Sequence, residues 1–328
     1  MKKSLIALAV LAASGASFAQ SSVTLYGVAD VFLGSVKNTD ALGASLTQTV
    51  LDAGGVSHNR WGLKGSEDLG GGLKANFNFE QGFSMDKGSA DNGAQAFSRY
   101  AWVGLSGNFG EIKLGKTGTA YDDVNGAANA VFDSGLSPAN YVFASTGYTW
   151  TPANSIMYVT PTVAGFNGEI SYALDEKVAG TPAVTAVNVA YAAGALAVSL
   201  GYQTEKPYGA ANDTNFTRLN GAYDFGVAKL MASYGKVDYN TAGVGNVTEY
   251  QIGADYPVSA ALTLSASYAE SKTAAAGATA EVKKTGLGLG ASYSLSKRTS
   301  VYGGYETDKT KSTSIEHTLV AVGVRHAF

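Results

Sequence analysis

Residues 110–117 read Gly-Glu-Ile-Lys-Leu-Gly-Lys-Thr and match G-x-x-x-x-G-K-[ST], the loop that cradles phosphates in nucleotide-binding proteins. That chemistry needs a glycine-rich turn between a strand and a helix, with backbone N–H groups around the phosphate. Here Glu111, Ile112, Lys113 and Leu114 alternate as a strand through the motif itself. Gly118-Thr-Ala-Tyr-Asp-Asp follows, with no amphipathic helical period. Lys113 and Lys116 therefore read as charges of a wall or loop base. His58, His317 and His326 lie far apart and lack metal-ligand spacing, and there is no cysteine, so neither a metal nor a thiol site is expected. No serine sits in a G-x-S-x-G elbow, and no enzyme activity is expected. No cofactor is implied.

The elements that would carry the remaining charged residues are strands. Leu196, Val198, Leu200 and Tyr202 alternate with Ala197, Ser199, Gly201 and Gln203. The same period of two recurs at 73–80, 250–256, 262–268, 287–295 and 319–328, so each segment shows an apolar face and a small or polar face. A soluble sandwich would carry long charged side chains on its wet face. Here that face is largely Gly, Ser, Thr and Asn, which suits a water-filled lumen, and aromatics near strand ends suit interfacial girdles.

Bulk properties agree. Mean hydropathy is +0.02, and after the first residues no apolar run approaches the length of a spanning helix. A transmembrane barrel has such an average because only alternate residues face lipid. Residues 1–19 read as a signal peptide: Lys2 and Lys3, a short apolar run Leu5 to Ala13, and the small-residue cleavage site Ala16-Ser-Phe-Ala19. The barrel then occupies 20–328 as one domain. Removing the two lysines takes the formal charge from −3 to −5, which argues against a nucleic-acid partner.

Short connections (68–72, 107–110, 224–226, 296–298) alternate with longer polar ones (about 37–55, 84–95, 119–150, 175–183, 206–213, 240–246, 272–281 and 308–313). Eight long loops predict eight hairpins and a 16-stranded antiparallel transmembrane β-barrel. An even count lets the last strand, ending at Phe328, close on the first at Val23 to Tyr26.

Ser22-Val-Thr-Leu-Tyr-Gly-Val-Ala-Asp30, Arg60-Trp-Gly-Leu-Lys-Gly-Ser-Glu-Asp-Leu-Gly-Gly-Gly-Leu-Lys-Ala75, Phe97-Ser-Arg-Tyr-Ala-Trp-Val-Gly-Leu-Ser-Gly107, Phe109-Gly-Glu-Ile-Lys-Leu-Gly115 and Val322-Gly-Val-Arg-His-Ala-Phe328 carry a resemblance. The chain resembles the general trimeric porins of Gram-negative outer membranes, most closely their β-proteobacterial branch. The resemblance implies a homotrimer in outer-membrane lipid and lipopolysaccharide, passing ions and small hydrophilic solutes. Its third loop would fold inward, with acids facing a basic wall. By position, Arg60 and Arg99 look like wall arginines, and Lys64 shares the face of Arg60. Lys113 and Lys116 would extend that wall. The loop, roughly Thr117 to Trp150, offers Asp122, Asp123 and Asp133. The plain alternatives are a surface arginine beside Tyr100 and solvated loop carboxylates. Relatives often place a further arginine where this chain has Trp150-Thr-Pro-Ala-Asn154. Its absence and the acidic balance predict a weak cation preference. In the family a terminal aromatic such as Phe328 also signals to the barrel assembly machinery. The competing readings are an outer-membrane enzyme, for which no nucleophile and base converge, and a structural or adhesive barrel.

Overall fold

The alternating segments pair in sequence order into one continuous antiparallel sheet. The structure is a computed structural model and describes residues 22–93, 95–277 and 280–328. The expected signal peptide lies outside the described residues.

Strand β1 (Ser22–Thr39) is long enough to meet three partners. Its lower half pairs with β3 (Arg60–Gly70), its upper half with β2 (Ser45–Ala53), and its other edge with β18 (Glu316–Ala327). β2 and β3 thus share one wall position, interrupted at 54–59. The two-residue β5 (Ser89–Ala90) pairs only with the end of β4 (Leu73–Ser84). The other strands are β6 (Tyr100–Gly107), β7 (Gly110–Lys116), β8 (Ser155–Val159), β9 (Phe166–Ala173), β10 (Pro182–Ala193), β11 (Leu196–Pro207), β12 (Thr214–Asp224), β13 (Lys229–Tyr239), β14 (Val247–Pro257), β15 (Leu262–Thr273), β16 (Val282–Ser294) and β17 (Thr299–Thr310). The wall is a closed 16-stranded barrel, as the loop alternation predicts.

Closure follows a different register from the expected one. Phe328 exchanges two main-chain hydrogen bonds with Gly27, each 3.0 Å, and Val28 faces Ala327. Val23 to Tyr26 pair instead with Leu63 to Gly65 and Gly62 of β3. The seam is displaced because β1 runs on to Thr39 rather than ending near residue 36. For the same reason residues 37–55 are not a loose loop. They form a ribbon whose turn is tied by Asp40 Oδ1, which accepts from the backbone N–H groups of Leu42 (2.8 Å) and Ala44 (2.9 Å). Residues 110–116 form β7, so the phosphate-loop motif is strand throughout.

The two faces separate cleanly. Leu200, Leu219, Leu230, Ile252, Leu264 and Val322 are exposed outward, while their neighbours Ser199, Asn220, Met231, Gln251, Ser265 and Ala321 are buried within. An outward apolar band of this kind requires lipid. Phe109, Phe166, Tyr223, Phe225, Tyr256 and Tyr293 all stand beside the short turns, exposed outward as an interfacial ring. Phe328 joins the ring at the same end, beside the turn at Arg298, whose carbonyl accepts from Ala327.

Candidate functional site

Three neighbouring strands position the basic residues. Glu80 of β4 lies opposite Gly62, and Arg60 lies two positions back on β3, so the two side chains share a face. Arg99 enters just before β6, with its backbone N–H on the Glu80 carbonyl at 3.1 Å. Arg99 Nε is 2.6 Å from Glu80 Oε1, and Arg60 Nε is 3.6 Å from Oε2. The Tyr26 hydroxyl lies 2.9 Å from Glu80 Oε2 and 2.8 Å from Asn78 Oδ1. Arg60 also donates through Nη1 to the His58 carbonyl (2.9 Å), and the Arg99 guanidinium stacks over Trp150 at 4.7 Å.

Glu80 is therefore a shared counter-ion for both arginines. In the sequence it is one polar member of the Lys74, Asn76, Asn78, Glu80 face, with nothing to set it apart. Arg325 of β18 lies near enough to Arg60 to repel it, and it too was legible only as an inward-facing position. Lys64 sits over the Tyr26 ring at 5.0 Å, and Lys113 over Trp102 at 5.3 Å with Glu111 3.5 Å away. Lys116 donates to the Thr151 carbonyl at 2.5 Å, which ties it to the end of the third loop.

That loop carries short helices α1 (Asp122–Asn125) and α2 (Ala139–Val142) and a 3₁₀ turn (Ala144–Gly147). It packs along the small, polar face of the wall. Asn188 donates to the Ala120 carbonyl (2.6 Å), Ser265 accepts from Val131 N–H (2.8 Å), and Ser271 donates to the Val142 carbonyl (2.8 Å). Wall glycines permit this approach. A Cβ on Gly288 would stand 2.4 Å from the Leu136 carbonyl oxygen, and one on Gly253 2.3 Å from Ala130 Cβ. The small-residue face is thus partly a bed for the loop as well as a lining for water.

The deepest anchor is Glu249 of β14, paired with Arg218 of β12 at 3.2 Å, both buried. Glu249 Oε2 accepts from Ala144 N–H (2.9 Å) and Ser145 N–H (3.3 Å). The Ser145 hydroxyl donates to Oε1 and accepts from Arg218 Nη2. Arg218 lies over Phe143 at 4.7 Å.

The three loop acids are not equivalent. Asp122 accepts from the Tyr148 hydroxyl, and burial pushes its carboxyl up to about 6 against that bond and the pull of Arg99. Asp123 stands beside it and faces Glu169 of β9. Asp133 lies further along, bonded by Asn129 at 2.5 Å; burial raises its carboxyl, and its charged neighbours are His58 and Arg218, not Arg60 or Arg99. Arg99 thus acts on Asp122 and not on Asp133. His326 faces outward and bonds Thr299 at 2.9 Å.

A closed 16-stranded barrel with an apolar outer band and a charged interior belongs to the membrane channels. A profile described as Gram-negative porin matches residues 5–313, so the chain belongs to the Gram-negative porin family. It is 37% identical to outer membrane porin protein 32 of Delftia acidovorans and 30% identical to an outer membrane porin protein of Bordetella pertussis, each over the full length of both chains. Its fold superposes on an anion-selective porin from Comamonas acidovorans with a TM-score of 0.80 and 32% identity, covering 94% of this chain and all of that one. The protein is an outer-membrane channel for small solutes, and not an enzyme.

Proposed function

We propose that this chain is a homotrimeric passive diffusion porin whose third loop narrows each channel. In this reading Asp122, Asp123 and Asp133 supply the acidic side. Arg60, Lys64, Arg99, Lys113 and Lys116 supply the basic wall. The observation that carries it is Glu80 held between Arg99 and Arg60, with Arg99 within electrostatic range of Asp122 on a loop bound to the far wall. Such a geometry sets a transverse field across water, which orients dipolar solutes and sets ion preference through local net charge.

The preference expected is weakly cationic. Glu80 offsets one wall arginine and Glu111 offsets Lys113, while the loop adds acids without bases. The Comamonas relative is described as anion-selective, so the sign of selectivity is the point at which the two channels would part. Residues 1–19 are proposed as the export signal, outer-membrane lipid and lipopolysaccharide as the surroundings, and Phe328 as seam residue and signal to the assembly machinery. The bonds of Phe328 to Gly27 support the seam role.

Purified, folded protein in a planar bilayer tests the reading. Stepwise conductance in groups of three with a weakly cationic reversal potential is expected. Electrical silence of folded protein, or steps that occur only singly, would overturn it.

A further inference from the structure

Glu306, Asp308 and His317 converge on the inner face of the last hairpin. Glu306 and Asp308 are two residues apart on β17 and so share a face. The strand register places His317 of β18 directly opposite Asp308. His317 Nδ1 lies 2.9 Å from Glu306 Oε2 and 3.4 Å from Asp308 Oδ2. One ligand atom from each residue falls within 4.8 Å of the others. Tyr141 of the third loop stacks on the His317 ring, centroids 4.6 Å apart and planes 24° apart, which fixes the orientation of the imidazole.

The charges in this cluster do not balance. Glu306 is 0% exposed, yet its Oε1 has no hydrogen-bond partner among the described residues, and Asp308 Oδ2 has only the 3.4 Å ion-pair contact with His317. A buried carboxylate is costly unless it is paired and hydrogen-bonded. One imidazole supplies at most one positive charge to two carboxylates. A further cation would satisfy the unpaired oxygen and the net charge together.

We propose that Glu306, Asp308 and His317 form a binding site for a divalent first-row transition cation, with Zn²⁺ the best fit. Metal–ligand bonds of about 2.0–2.2 Å give ligand–ligand edges of about 3.3–3.6 Å in a tetrahedron and about 2.8–3.1 Å in an octahedron. The 3.4 Å separation falls on a tetrahedral edge, whereas the 2.9 Å hydrogen-bonded separation must open by about 0.4 Å or more to admit a tetrahedral ion. The strand register already places the three residues on one face, so side-chain rotation is the adjustment that binding asks for. One imidazole with two carboxylates suits zinc, nickel or copper, whereas calcium and magnesium prefer all-oxygen shells of six or more ligands. Three protein ligands leave an open position for water. The ion replaces the proton shared between His317 and Glu306, so its affinity rises with pH.

Sequence spacing conceals the site. The three histidines lie far apart in the sequence, and the two carboxylates meet their imidazole only through the hairpin register. A bound divalent ion that displaces the proton shared between His317 and Glu306 adds one net positive charge to the inner wall beneath the loop, which shifts ion preference toward anions.

The test uses folded, chelator-stripped protein titrated with Zn²⁺ by calorimetry, with retained zinc measured after desalting. One zinc per chain is expected. His317→Ala and Glu306→Gln should each weaken binding by at least about tenfold, while His58→Ala and His326→Ala should leave it unchanged. Zinc should move the reversal potential of the unmodified channel toward anions and leave that of His317→Ala where it was. Copper-loaded unmodified protein gives a readout independent of variant folding: its paramagnetic resonance spectrum should show one imidazole nitrogen. No zinc retained by the folded protein, equal retention by His317→Ala and Glu306→Gln, or an all-oxygen copper spectrum would each overturn the proposal.

Discussion

Ser145 donates both its backbone N–H and its hydroxyl to the carboxylate of Glu249, 104 positions away in sequence. A single buried wall acid thus holds the middle of the third loop, and Arg218 holds the acid.

This arrangement predicts the effect of Glu249→Gln. The variant leaves Arg218 buried without its counter-charge, and breaking such a pair costs about 3–5 kcal/mol. The wall is tied by its ladder hydrogen bonds and the loop by a few side chains, so the loss falls on the loop. Single-channel conductance should rise and become noisier, and loop three should become sensitive to protease while the barrel stays folded. Arg218→Met combined with Glu249→Gln should recover part of the quiet conductance, because no lone charge remains. Unchanged conductance in the single variant would show that the loop is held by its other contacts alone.

Glu80→Gln removes the shared counter-ion and leaves Arg60 and Arg99 facing the channel with their full charge. One unit charge at 4–8 Å in water is worth roughly 0.5–1 kcal/mol. The chloride-to-potassium permeability ratio should therefore rise roughly twofold or more, read from the reversal potential in a salt gradient. The gain should shrink at high ionic strength, where screening shortens the range of the field.

Asp122 should give the channel a pH response. Burial disfavours the charge and pushes its carboxyl up to about 6, above the ordinary aspartate value. As pH falls through that point the loop loses one negative charge, and cation preference should decline. Asp122→Asn should abolish the step near pH 6. The linked stability has a definite sign. A carboxyl whose folded value is raised contributes stability that is fully present below its unfolded value of 3.8 and is lost as pH rises through about 6. Loop three should accordingly resist protease better at about pH 5 than at about pH 7.5.

The wall was legible because a barrel strand writes its two faces into alternate residues. Leu200 and Ser199, or Val322 and Ala321, report lipid and interior directly. Closure was legible too, but its register was not, because nothing in the sequence marks where β1 stops following β3 and begins following β2. The site was legible only in part. Arg60 and Arg99 stand out as charges in small-residue strands, whereas Glu80, Arg325 and the Arg218–Glu249 pair acquire meaning from partners on other strands. Asp133 shows the reverse case. By sequence it matches Asp122, yet the loop turns it toward His58.

The seam allows a last prediction. Phe328 contributes two ladder hydrogen bonds to Gly27, and its ring occupies the space where a Cβ on Gly27 would fall, 2.4 Å from Cζ. Deleting Phe328 removes these bonds and one aromatic of the interfacial ring, but leaves all twelve pairs from Val28–Ala327 to Thr39–Glu316. Conductance of any channel that forms should therefore match that of the full chain, while the amount of folded protein reaching the outer membrane should fall sharply. Refolding into detergent separates the two roles. Normal refolding with failed assembly in cells assigns Phe328 to recognition by the assembly machinery. Failure in both places the defect in the seam, and Gly27→Ala, which crowds the same ring without altering the terminus, should then fail in detergent as well. Normal assembly of the deletion in cells would exclude both roles.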